Sequence, residues 1–552
     1  MPLRTSHAHL ARLGAFFLVF PLAARADGVP VGPVPTEAQS APTVSSDGRG
    51  GATVSYKTAS LRVGAVHVSA AGSPDAGFGF GPTVLPVTLE ASEPLRATAS
   101  SDSQLRVVSD HAAAASPVLT CVRTGGVAVS GFPVVLPLPL RHPAIVRGLG
   151  GRTLLVAKDA DSINFWTLRA AIVSASGQVE FSVQVSSPLQ FFDADAIDAC
   201  SDGAGGLIAA SPFYDATASG SKDLAVWKMA ADGSRPWGDA PRPIVFAAND
   251  QTDVHVIPDG AGGVIMVWTD PRSALRSTDI FALRLDADGF RAPGWAFYGS
   301  PVCDALGAQS HSRITADGTG GVWIVWLDQR AGLDGDLRYS HVLGSGTLAP
   351  GFTSNGTSLC AASGAQLDAV VAGDGAGGCF AVWRDDRAGA SDIYAQHILA
   401  SGQVAAGWPT DGRALTTAAG VQDQPAIASV SGGKAVVAWR DARAGTTRIY
   451  ATGIVDAATT AVPPSLASGL RLAALPAAGA SPRVTVSLPA AGPAVLELLD
   501  VSGRIRARSE LVGPLTDQGL TLAPASPLES GFYFARLRQG PAERSVRVPW
   551  LR

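Results

Sequence analysis

Aspartate and arginine stand two residues apart at four recurrent places in this chain: Asp270/Arg272, Asp328/Arg330, Asp385/Arg387 and Asp441/Arg443. A guanidinium binds a carboxylate through two parallel hydrogen bonds, so several arginines converging on one point could hold the acid group of an anionic substrate. Repetition argues against that use. A catalytic group is needed once, whereas these pairs occupy one position in successive repeats, which reads as scaffold. Asp286-Ala287-Asp288-Gly289 has the start of a calcium loop but lacks the further acidic ligands and closing glutamate, and it reads as a hairpin turn. His67, His111, His142, His255, His311, His341 and His397 show no HExxH spacing, and no GxSxG elbow occurs. No catalytic, cofactor-binding or metal-ligating residue is therefore assigned, and no cofactor is expected. Trp295, Phe352 and Trp408 could stack on sugars, but their recurrence points to capping of each repeat's core.

The elements that position these residues follow from a long-period repeat. The chain reads DGAGGVIMVWTDPR, DGTGGVWIVWLDQR, DGAGGCFAVWRDDR and, more loosely, SGGKAVVAWRDAR, with Trp268, Trp326, Trp383 and Trp439 spaced 58, 57 and 56 residues apart. A fixed period of this length marks an array of one supersecondary unit. Within a repeat, Val254–Ile257 leads into Asp259-Gly260-Ala261-Gly262-Gly263, whose glycines supply the positive φ of a tight hairpin. Val264–Trp268 is apolar throughout, as in a strand covered on both faces. Asp279–Leu285 reads as a third strand, and the segment through Trp295 to Val302 as a fourth, irregular one.

Four antiparallel strands per unit, apolar on both faces, predict an all-β fold: a β-propeller. Weaker hairpins at Asp202, Gly148, Ser101 and Asp47 extend the array to eight blades, or seven plus an irregular unit. Gln251, Gln309, Gln366 and Gln422 each precede their tryptophan by 17 residues. Gln39 lies eight before Asp47, as Gln251, Gln309 and Gln366 lie eight before Asp259, Asp317 and Asp374. The N-terminal segment is thus expected to supply the outer strand of the last blade and close the ring, hiding a sheet edge.

Residues 1–26 read as a signal peptide: Arg4 and Arg12, the apolar stretch 13–19, then Ala24-Arg25-Ala26. No later run is long enough for a transmembrane helix. A mature chain from Asp27 carries 39 basic and 46 acidic residues, and that weak acidity disfavours nucleic acid as partner. Export permits disulfides, but the five cysteines (Cys121, Cys200, Cys303, Cys360 and Cys379) are odd in number and lack zinc spacing. Cys303 and Cys360 hold equivalent places in neighbouring repeats, which duplication explains.

The propeller is expected over 27–461 and a linker over 462–469, followed by a small Ig-like β-sandwich over 470–552. Strands are expected at 483–488, 494–499, 532–537 and 545–551. Pro482, Leu488-Pro489, Asp500-Val501-Ser502-Gly503-Arg504 and Ser530-Gly531-Phe532-Tyr533 give this segment its character. As an ordered set they resemble the C-terminal sorting domain of type IX secretion cargo and the related Ig-like domain of the flagellar hook-capping family. Ser481 stands where the family usually has asparagine. The resemblance implies outer-membrane secretion machinery as a partner and a secreted or cell-surface location in a Gram-negative-type bacterium. The repeats loosely resemble Asp-box propellers. The expected function is non-catalytic binding of a protein or glycan by loops over the propeller axis. A sialidase-like glycoside hydrolase and a structural surface-layer component are the alternatives.

Overall fold

A computed structural model describes residues 27–455 except 32–36, 48–49, 75–94, 100–104, 110–117, 123–128, 137–139, 160–167, 186–189, 193–196, 216–220, 273–276 and 333. It further describes 471–474, 482–500, 504–524, 526, 528, 531–539 and 542–550. The expected signal peptide and linker lie outside the described residues. The chain divides into two units, Met1–Ala457 and Ala458–Arg552.

Among the described residues the first unit holds eight antiparallel sheets, most of four strands in simple up-and-down order. The hairpins read from the sequence join the first two strands of their sheets, except that the turn at Ser101 lies outside the described residues. In the fourth sheet Gln190–Phe192 also precedes, paired to the far end of the same second strand. The first strands are Gln39–Ser46, Arg96–Ala99, Leu140–Arg147, Asp198–Ser201, Thr252–Pro258, Gln309–Ala316, Gln366–Gly373 and Gln422–Val430. Each touches the next, and the last touches the first, so these innermost strands form a closed cycle. The second strands carry the core: Val264–Asp270 and Val322–Asp328 are buried at every residue. The fourth strand is shorter than its sequence suggests. In the fifth sheet it is only Ser300–Cys303, because Trp295 is buried and draws the preceding loop inward, its indole N–H bonded to the Gly344 carbonyl.

The eighth sheet takes its outer strand, Val29–Pro30, from the other end of the chain, where Val29 pairs with Ala451. Gln39 fixes the same junction: its Oε1 accepts the Ile449 N–H at 2.9 Å.

The repeated residues build two buried latches in each well-preserved blade. At one end, the turn aspartate accepts backbone N–H bonds within its own hairpin: Asp317 Oδ1 takes those of Thr319 and Gly321 at 2.7 and 2.9 Å. Its other oxygen meets a donor from the third strand. That donor is His67, Lys228, Arg284, His341 or His397, facing Asp47, Asp202, Asp259, Asp317 and Asp374 respectively. At the other end, Trp326 Nε1 donates to Asp328 Oδ2 at 3.0 Å and Arg330 grips both oxygens of the same carboxylate. Burial opposes ionisation of Asp328, but hydrogen bonds from Arg330 and Trp326 outweigh it and hold its pKa below the ordinary value.

Both cysteines that recur are free thiols. Cys303 Sγ lies 3.1 Å from Arg330 Nη2 of the next blade, and Cys360 stands likewise beside Arg387. In the following blade Thr416 Oγ1 takes that place against Arg443. The cysteines therefore act as small donor–acceptor groups at blade junctions, and burial pushes their pKa values up to about 11 and about 12.

The second unit is one five-stranded antiparallel sheet, with Arg471–Ala474, Arg483–Leu499, Gly531–Gln539 and Ala542–Trp550 in order and Ile505–Thr521 on the other side of Arg483–Leu499. Its two ends touch, so the sheet folds back over a core of Val484, Val486, Leu496, Leu498 and Leu537. The expected strands 483–488 and 494–499 are parts of a single 17-residue strand. The Pro489–Gly492 interval, which reads as a break, is absorbed as register shifts between Val486 and Gly492.

Candidate functional site

The four Asp-x-Arg pairs do not converge. Asp270, Asp328, Asp385 and Asp441 are fully buried, each engaged by its own arginine and tryptophan. Trp295 and Trp408 are buried as well. Asp286 Oδ1 accepts the N–H groups of Asp288 and Phe290, which makes that acidic segment a self-satisfied turn. None of these groups is presented to a ligand.

The innermost strands carry a different set. Two residues beyond each conserved glutamine the backbone turns left-handed at a non-glycine residue: Ala41, Asp253, His311, Asp368 and Gln424, with φ from +48° to +53°. Each coincides with a register shift against the second strand, the mark of a β-bulge. Such residues cost of order 1–3 kcal/mol each and cluster where a side chain must be aimed. Two residues further on, at one structural position, successive blades carry Asp198, His255, Arg313, Val370 and Ala426. Three charged or polar groups are thus gathered on one arc of the inner ring, and the following two blades are apolar there.

These groups interlock. His255 Nδ1 lies 3.5 Å from Asp198 Oδ2, and its Nε2 lies 3.2 Å from Asp253 Oδ1 and 2.9 Å from Arg313 Nη1. Asp198 Oδ2 also accepts the Val256 N–H at 3.0 Å. Asp253 Oδ2 is buried and has no hydrogen-bond partner among the described residues. Nε2 can serve only one neighbour at a time. In the neutral ring it accepts from Arg313, with the proton on Nδ1 toward Asp198. In the imidazolium it donates to Asp253, and Arg313 is repelled.

Burial alone would lower the His255 pKa, but hydrogen bonds to Asp198 and Asp253 prevail and raise it. With a folded value above the unfolded one of about 6.5, its stabilising contribution is complete below that pH and is lost as pH rises through the folded value. Asp253 has the opposite sign. Burial would raise it, but the hydrogen bond from His255 and the charges of His255, Arg313 and His311 lower it. Its contribution is present above about pH 3.9 and lost as pH falls through the folded value. In an imidazole NMR titration, His255 is expected to show a midpoint above 6.5 that falls on Asp198→Asn substitution. An unmoved midpoint would contradict the pairing.

Recognition is expected from the sequence in loops over the axis, whereas these residues lie on the innermost strands. The signal that could have found them is a contrast between columns: in otherwise near-identical repeats, the position four before the turn aspartate reads Asp, His, Arg, Val. The described residues contain no group of three or more His, Cys, Asp or Glu able to hold a metal ion. They contain no helix long and apolar enough to cross a membrane.

The sequence matches no protein-family model and no curated protein. Among solved structures, the chain is similar to the Hadza microbial sialidase Hz136, at 12% identity and a TM-score of 0.34, over 62% of this chain and 74% of that one. It is similar to the NanB sialidase of Streptococcus pneumoniae at 9% identity and a TM-score of 0.30, over 76% and 93%. Polysaccharide lyase Uly1 aligns at 9% identity and a TM-score of 0.37, over 68% and 91%.

Proposed function

We propose that this is an exported, non-catalytic, eight-bladed β-propeller that binds a glycan or protein at the inner ring, with a C-terminal Ig-like module that directs secretion or surface attachment. The observation that carries the reading is the arc of Asp198, His255 and Arg313, which differs from blade to blade at one position, joined by Asp253 on its bulged strand. The repeated charges are consumed by scaffold, and this arc is where the blades differ. An acceptor oxygen with no partner beside a guanidinium offers both an acceptor and a donor, which suits hydroxyl-rich or amide-bearing ligands.

A second reading, a glycoside hydrolase, draws on the same arc because it brings two carboxylates, Asp198 and Asp253, to one place. Such an enzyme needs two carboxyl groups about 5–9 Å apart flanking the scissile bond. Here both carboxylates are held to one imidazole, an arrangement that suits fixed recognition better than proton transfer to a leaving group. A glycan-array screen and a hydrolysis assay on the same purified chain test both. Binding is expected to weaken at least about tenfold in Asp253→Asn and Arg313→Ala, equivalent to 1.4 kcal/mol, without sugar release from the parent protein. Released sugar would overturn the non-catalytic reading. Removal of residues 470–552 is expected to leave the protein inside the outer membrane, as cell fractionation would show; unchanged export would remove the sorting role.

A further inference from the structure

The fifth sheet also departs from its neighbours on its outer side. It carries Phe290, Phe297 and Tyr298 where the sixth has Thr347, Ser354 and Asn355 and the seventh has Gln403, Thr410 and Asp411. Phe290 and Phe297 are 65% and 70% exposed. Phe246, from the end of the fourth sheet, joins them at a position held by Asp304 and Ala361 in the next two. The rings support one another edge to face, Phe246 on Tyr298 at 6.5 Å and Phe297 on Tyr298 at 4.8 Å. Single exposed apolar residues are ordinary, but a gathered patch of this kind marks an interaction site. The neighbouring blades show that polar residues fill these positions without loss of the fold.

The patch walls a groove of about 390 Å³, in the lower part of the ~300–1,000 Å³ range of small-molecule sites. Two guanidiniums rise from it: Arg242 sits 5.4 Å over the Phe290 ring and Arg291 5.8 Å over Phe297. No carboxylate is among the lining residues, although the chain as a whole carries net negative charge. The groove therefore favours an anion: stacking restrains both guanidiniums, and although Arg291 gives Nη1 to the Trp295 carbonyl, its other donors and those of Arg242 remain for a carboxylate. The rings are too exposed to enclose a wholly apolar guest. They form a platform that covers one face of a ring and leaves its rim in water. A sugar ring has that character, with an apolar C–H face and a hydroxylated edge, and an acidic sugar adds the anion.

We propose that this groove binds the terminal acidic sugar of a glycan, stacked on Phe290 and Phe297 with its carboxylate held by Arg242 and Arg291. The site is separate from the inner-ring arc and stands without it. The test is titration calorimetry of the full chain with oligosaccharides ending in glucuronate, galacturonate or sialate, each beside its carboxyl-reduced counterpart. At least one acid is expected to bind, about tenfold or more tighter than its reduced form. The double variant Phe290→Thr/Phe297→Ser, which installs the sixth sheet's own residues, should weaken it at least tenfold. Arg242→Ser should abolish the preference for the acid. Failure of every acid to bind, equal binding of acid and reduced forms, or a loss caused by Asp253→Asn instead would overturn the assignment. So would a concentration-dependent dimer, or binding of a proline-rich peptide, that the double variant abolishes without any sugar binding in the parent protein.

Discussion

Trp326→Ala is expected to destabilise the propeller by about 3–5 kcal/mol, the usual cost of deleting a fully buried large aromatic. The ring is fully buried in the core shared by the fourth, fifth and sixth sheets. An indole buries about 150–250 Å², worth roughly 4–6 kcal/mol at about 25 cal/mol per Å². The site cannot collapse to fill the gap. One wall is the backbone of Gly356, so close that a Cβ there would lie 2.2 Å from the ring, and a glycine has no side chain to move inward. The substitution also removes the indole N–H bond to Asp328, leaving that buried carboxylate to Arg330 and the weak Cys303 thiol contact. Trp326→Phe keeps most of the packing and loses the N–H donor, so its cost should fall near the 1.5–3 kcal/mol of a hydrogen bond to a charged group. Urea unfolding followed by far-UV circular dichroism separates the two variants. An Ala midpoint equal to the parent's would mean the indoles do not hold the blades together.

The same residue shows why so much of the propeller could be read from the chain. The tryptophan and the Asp-x-Arg pair recur in the last four blades and the Asp-Gly-x-Gly-Gly turn in most of the array, because each makes several buried bonds at once, and that recurrence makes the period visible. The donor opposite the turn aspartate was not legible, because the site asks only for a cation or N–H group at the right reach. It is met by His67, Lys228, Arg284, His341 and His397 in different blades. The inner-ring arc was hidden for the opposite reason: its value lies in differing from blade to blade, and a search for recurrence discards it. In the second unit, Pro489 and Gly492 carry the composition of a turn, yet long-range pairing to Ile505–Thr521 on both sides keeps the strand continuous. Local propensity yielded there to sheet pairing.

Gly28→Val is the sharpest test of how the ring closes. Gly299, Gly356 and Gly412 precede the fourth strands of the fifth, sixth and seventh sheets, each with positive φ and its Cα against the indole of its blade. Gly28 repeats that contact against Trp439 with φ +68°, and a Cβ there would sit 2.3 Å from the ring. Residues 28–30 thus occupy the place of a fourth strand although more than 400 residues separate them from their sheet. Valine should cost about 1–2 kcal/mol for its left-handed backbone and about 1–3 kcal/mol more for overpacking against a ring that cannot retreat. Gly445→Val in the same blade isolates the first contribution. Its φ is +83°, and nothing lies within 4 Å of the added carbon, so only the backbone strain applies. Gly28→Val should therefore unfold at lower urea than Gly445→Val and should form concentration-dependent oligomers in native buffer, since a displaced N-terminal strand uncovers the edge of Arg448–Val455. Equal midpoints and a monomeric Gly28→Val protein would mean the strand is an ornament on a ring closed by its inner strands alone.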